Sequence, residues 1–252
     1  MAKIIAVSNK GNKFTKSNGG FGPSKIDKEI LFQTGKKNPK LLFVPTADSD
    51  SVGYYKMAKK HFERIGFEVD VLYLIKNKLS KKQIEDKILS TDVIYVGGGN
   101  TLEMLNLWRV LGVDKIFKKA SQKGIILSGI SAGAICWFQN GSSDSKRYYN
   151  PKAELVKIKG LNFIPALLCP HYDSEKDRRF NLKKIMKNTQ GVAIALDDCC
   201  AVEIIDKKYR IFSSNKNANA YKVYWKNGKY FENLIQKSNN FSLLSLLLKE
   251  DV

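Results

Sequence analysis

Between residues 4 and 127 the chain alternates short apolar, β-branched runs with amphipathic segments, and this alternation narrows the fold class before any motif is weighed. Residues 4–7, 41–44, 68–73, 93–96 and 125–127 read as strands, and residues 54–65, 81–89, 101–108 and 113–121 read as the helices between them. Strands separated by helices pair in parallel, with helices covering both faces of the sheet. The second half is richer in strands. Residues 167–169 lead to His171, a helix covers 175–186, and strands follow at 192–195, 201–205, 210–212 and 220–224. Turns at Asp206-Lys207-Lys208-Tyr209 and Lys226-Asn227-Gly228 predict hairpins among the last strands, and residues 241–248 predict a terminal amphipathic helix. The expected fold is α/β: a mostly parallel sheet with helices on both faces and a strand-rich C-terminal portion. No Pro/Gly/Ser-rich linker, repeat or low-complexity block divides the 252 residues, so residues 1–252 read as one domain.

In a sheet of this kind chemistry collects beyond the C-terminal strand ends, and one such end carries Gly129-Ile130-Ser131-Ala132-Gly133, a G-x-S-x-G pattern. A strand precedes it and residues 132–138 can run straight into a helix. Strand, tight turn and helix are what a nucleophile elbow requires, with small residues where the helix crosses close to its strand. A serine hydroxyl needs a base, and the chain holds only two histidines, His61 and His171. His61 sits near the apolar stripe of the helix over 54–65 and reads as a packing residue. His171 follows a strand end, which makes it the favoured base.

Gly97-Gly98-Gly99-Asn100-Thr101 follows another strand and opens another helix, so its backbone can approach a ligand closely. A phosphate cradle and an oxyanion hole both fit such a loop. The first lacks the G-x-x-x-x-G-K-[ST] pattern, while the second would pair an amide of this loop with that of Ala132.

Composition narrows the rest. The net charge of +19 suggests nucleic acid, but the lysines (Lys10, Lys36-Lys37, Lys59-Lys60, Lys81-Lys82, Lys118-Lys119, Lys183-Lys184, Lys207-Lys208) are scattered as solvated surface, so nucleic acid is not the expected partner. Cys136, Cys169, Cys199 and Cys200 fit no zinc spacing and read as reduced thiols. No run reaches the roughly 18 apolar residues of a membrane span, and the N-terminal run is too short for a secretory core. A cytoplasmic protein without a membrane partner is expected.

Taken in order, Val96-Gly97-Gly98-Gly99-Asn100-Thr101, Gly129-Ile130-Ser131-Ala132-Gly133-Ala134 and Pro170-His171-Tyr172 resemble the S51 serine peptidases, which include aspartyl dipeptidase (dipeptidase E) and cyanophycinase. The resemblance covers roughly residues 1–225. It implies a fold like the class I glutamine amidotransferases, with Ser131 as nucleophile, His171 as base, and Gly99 and Ala132 as oxyanion amides. It places the acidic triad member a little over a dozen residues after the serine, where Asp144 is the match; Asp173, Asp197 and Asp198 are its rivals. Arg178 matches the family's substrate arginine, whose guanidinium could grip a carboxylate in a bidentate pair. The implied activity is hydrolysis of short acidic peptides, above all dipeptides with an N-terminal aspartyl residue, without metal or organic cofactor, by a monomer or homodimer. A cyanophycinase-like β-aspartyl peptidase and a catalytically silent amidotransferase-like binding module are the alternatives.

Overall fold

A computed structural model describes residues 3–9 and 24–251; Lys10, one of the scattered lysines, lies outside them. The first half runs β1 (Lys3–Ser8), α1 (Lys25–Thr34), β2 (Lys40–Val44), α2 (Val52–Glu63), β3 (Glu68–Val71), α3 (Lys81–Leu89), β4 (Val93–Val96), α4 (Thr101–Leu111), α5 (Val113–Gln122) and β5 (Ile126–Ile130). It continues through α6 (Ala132–Ile135), β6 (Phe138–Ser143), β7 (Val156–Lys159), β8 (Ile164–Cys169), α7 (Arg178–Lys187) and β9 (Ala193–Leu196). The chain then runs through β10 (Cys200–Ile205), β11 (Lys208–Ser213), β12 (Ala220–Lys226), β13 (Lys229–Ile235), β14 (Ser242–Leu243) and α8 (Leu244–Leu248).

The alternation in the first half does build a parallel sheet: β1, β5, β4, β2 and β3 lie side by side in that order, in parallel register. Side-chain caps mark where the helices begin. Ser24 and Ser80 each close a capping box, on Asp27 and Gln83, and Asn100 accepts from the Glu103 amide. Past β1 the sheet continues antiparallel through β10, β11 and β14 to eight strands. The two expected hairpins form, β10 with β11 and β12 with β13.

The strands of the second half do not all join that sheet. A second sheet of six strands, ordered β13-β12-β9-β8-β6-β7, holds β6, β8 and β9 in parallel. The helix expected over 132–138 is shorter than that: α6 stops at Ile135, and Phe138–Ser143 is extended as the first strand of this sheet. Trp137 sets the change. Its ring is wholly buried, edge-on to Phe117 and Phe163 at centroid distances of 5.5 and 5.8 Å, and its indole N–H donates to the Ser128 carbonyl at 3.3 Å. That plug between the helix layer and the second sheet turns the chain, and the small residues Gly141-Ser142-Ser143 continue as strand.

The expected C-terminal helix is also shorter, with β14 replacing its first turn. The buried Lys222 ammonium donates to the Leu246 and Lys249 carbonyls at 3.2 and 3.1 Å, collecting the acceptors at the end of α8.

Candidate active site

Ser131 occupies the turn between β5 and α6 with φ 56° and ψ −113°, a conformation an L-residue adopts only where its surroundings impose it. Two contacts impose it here. The Ser131 amide donates to the Val7 carbonyl at 3.1 Å, and Gly133 passes so close to β4 that a Cβ there would fall on the Val96 carbonyl. The result is a half-buried hydroxyl standing above the end of the parallel sheet.

His171 lies just past β8 in the other sheet, also at positive φ (59°), and is 5% exposed. Ser131 Oγ stands 2.9 Å from its Nε2, and Asp198 Oδ1 stands 2.7 Å from its Nδ1. An acid on Nδ1 fixes the proton there and leaves the Nε2 lone pair facing the serine. The carboxylate on the imidazole is therefore that of Asp198, beyond the end of β9, and not that of Asp144. Asp144 stands at the end of β6 and lines the cavity in front of the serine. The other two candidate acids are engaged by backbone amides: Asp197 accepts from the Asn219 amide, and Asp173 accepts from the Asp198 amide at 2.8 Å. His61 lies away from this cluster, 3.1 Å from Asp27 at the start of α1.

Sequence reasoning missed Ser8, the last residue of β1. Its Oγ accepts the His171 amide at 2.8 Å, lies 3.1 Å from the Leu196 carbonyl, and is 3.4 Å from Asp198 Oδ1. One hydroxyl from the first sheet thus ties the backbone of the histidine to the neighbourhood of the acid. The available signal was positional, since Ser8 directly follows a strand end on the active edge.

Burial pushes the Asp198 carboxyl up, but the hydrogen bond and charge of His171, with the Ser174 and Ser8 hydroxyls, outweigh it, and the group ends below its ordinary value. A carboxylate held below its unfolded value stabilises the fold above that value, about 3.9, and the contribution is lost as pH falls through the folded one. The stability difference between wild type and Asp198→Asn, followed by urea denaturation, is therefore expected to shrink as pH falls below about 4, where the carboxylate takes up its proton. A difference that persists undiminished at lower pH would contradict the pairing.

The glycine loop after β4 faces the same point. Three of its amides are committed: Gly97 to the Val44 carbonyl, Gly98 to the Tyr54 hydroxyl at 3.2 Å, and Asn100 to the Ala47 carbonyl. Gly99 N–H has no acceptor among the described residues, and neither does Ala132 N–H at the start of α6. Gly99 sits at φ 140°, with Ala47 packed where a Cβ would be, so only glycine fits. Gly98, Gly99, Ser131 and His171 line a cavity of about 180 Å³.

Arg178 is not positioned to meet a substrate. It is 2% exposed, its Nε donates to Glu175 Oε2 at 2.8 Å, and its Nη1 donates to the Ser142 carbonyl at 3.0 Å. The resemblance implied a guanidinium free to grip a substrate carboxylate, but it enters between α7 and β6.

No helix among the described residues is long and apolar enough to cross a membrane. The chain is 36% identical over 225 residues, 88% of its length and 92% of the relative's, to the uncharacterized peptidase YgaJ of Bacillus subtilis. It is 30% identical over 149 residues, 57% of each chain, to Peptidase E of a Nostoc species. The fold is shared with a crystal structure of a peptidase from an acI-B1 Actinobacterium, at a TM-score of 0.70 and 16% identity, covering 96% of this chain and 97% of that one. A family model described as peptidase family S51 matches residues 15–212, and the chain belongs to that family.

Proposed function

We propose that this peptidase is of the serine type and hydrolyses short peptides through an acyl-enzyme, with Ser131 as nucleophile, His171 as general base and acid, and Asp198 as the acid that orients the imidazole. The observation that carries the reading is the unbroken relay from Ser131 Oγ to His171 Nε2 at 2.9 Å and from Nδ1 to Asp198 at 2.7 Å. Nε2 takes the hydroxyl proton as Oγ attacks the scissile carbonyl, and Asp198 stabilises the imidazolium that forms. The tetrahedral oxygen is held by the amides of Gly99 and Ala132, which have no other acceptor among the described residues. Collapse breaks the C–N bond, and Nε2–H passes its proton to the departing amine. Water, deprotonated by the same Nε2, then attacks the ester and restores the serine.

The triad acid that the family resemblance pointed to, Asp144, is replaced in this reading by Asp198. The aspartyl preference loses its expected cation, because Arg178 is buried and paired. Dipeptides and other short peptides remain the proposed substrate class, supported by kinship with Peptidase E.

A fluorophosphonate probe tests the chemistry directly. Stoichiometric labelling that maps to Ser131, and that disappears in both Ser131→Ala and His171→Ala, is the expected result. A folded wild-type protein that takes up no label would favour a silent binding module instead.

A further inference from the structure

Any substrate of Ser131 must place its acyl group in the cavity in front of the serine, and among the described residues the charged side chains that line it, His171 apart, are all carboxylates. Its carboxylates are Asp48, Asp144 and Glu175. Glu175 is already paired, with Arg178 Nε at 2.8 Å and Arg147 Nη1 at 3.8 Å. Asp48 and Asp144 form no ion pair with any cation among the described residues. Burial pushes the Asp48 carboxyl above its ordinary value, opposed only by a hydrogen bond from Ser51, as expected of a desolvated carboxylate that has no counter-ion.

The same cavity carries an aromatic ring: Tyr148 lines it together with Asp48, Asp144 and Ser131 and is 57% exposed among the described residues. Its phenol is raised by burial and then by the charges of Asp144, Asp48 and Glu103. A half-open ring that shares a cavity with two carboxylates attracts a cation by its face and by its neighbours at once.

We infer that Asp48, Asp144 and Tyr148 form the acyl-side subsite and select substrates with a positive charge next to the scissile bond. The charge is an ammonium or guanidinium, supplied by the free α-amino group or by the side chain of the first residue. An aspartyl side chain in the same place would meet two like charges, so the subsite discriminates by repulsion as well as attraction. The inference rests on the serine-peptidase reading for the position of the scissile bond.

Binding and turnover separate the two. Calorimetric titration of the Ser131→Ala protein with lysyl-alanine, norleucyl-alanine, Nα-acetyl-alanyl-alanine and aspartyl-alanine reads the subsite without chemistry. Lysyl-alanine is expected to bind about tenfold or more tightly than aspartyl-alanine. A loss confined to the norleucyl peptide assigns the charge to the side chain, and a loss confined to the acetylated peptide assigns it to the α-amino group. Adding Asp48→Asn or Asp144→Asn should close the gap from both ends, weakening the cationic peptide and strengthening the aspartyl one. Aspartyl-alanine binding as tightly as lysyl-alanine, no detectable binding of the cationic peptides, or a gap that survives both carboxamides would each overturn the inference. Wild-type protein that keeps the cationic preference but turns nothing over would instead overturn the serine-peptidase reading and leave the subsite standing.

Discussion

Asp198→Asn is expected to lower kcat by about 10³ to 10⁴ while the protein stays folded and KM changes little. An amide at position 198 offers Nδ1 of His171 an N–H as readily as an oxygen, so the imidazole is free to take the tautomer that points Nε2–H at the serine. The base is then lost although every atom remains in place. Asp144→Asn separates this acid from the one the motif spacing favours. Asp144 faces the cavity and not the imidazole, so its loss should appear in KM and leave kcat within about tenfold of wild type. Steady-state kinetics on the two carboxamides decides the matter, and the reverse ranking would return the role to Asp144.

Gly133→Ala is expected to cost about 3 kcal/mol of stability and to abolish labelling of Ser131 in whatever protein still folds. The new methyl would land on the Val96 carbonyl, which is backbone in the middle of the parallel sheet and has no rotamer to yield. Relief requires α6 to lift away from β4, and that movement relaxes the turn holding Ser131 at φ 56°. Thermal denaturation measures the stability and the fluorophosphonate probe measures the turn. A variant with native melting and full labelling would mean that the elbow is held by other contacts.

What the sequence made legible was local. The parallel half, the hairpins and the strand–turn–helix around Ser131 are written in periodicities that neighbouring residues set among themselves. The division into two sheets was not, because it depends on Trp137 finding Phe117 and Phe163, residues distant in sequence or beyond an intervening turn. The same limit separates Asp198 from Asp144. Each follows the end of a strand that flanks β8 in parallel, β9 for Asp198 and β6 for Asp144, so strand order does not rank them; the hydrogen bond between Asp198 and His171 Nδ1 does. A signal was present in Asp197-Asp198, which follows an expected strand just as His171 does, but only side-chain geometry ranks it above Asp144. Arg178 was matched to a substrate arginine by its place in the resemblance, and a match of position does not reveal that the side chain is buried.

Ser131 stands at the end of one sheet while His171 and Asp198 follow strands of the other, and Ser8 from the first strand closes the gap between them. During synthesis the serine emerges 40 residues before the histidine, which precedes the acid by 27 more. A half-made molecule thus carries a serine hydroxyl whose two hydrogen-bonded partners do not yet exist, and the relay can close only after residue 198 has been added and the two sheets have come together.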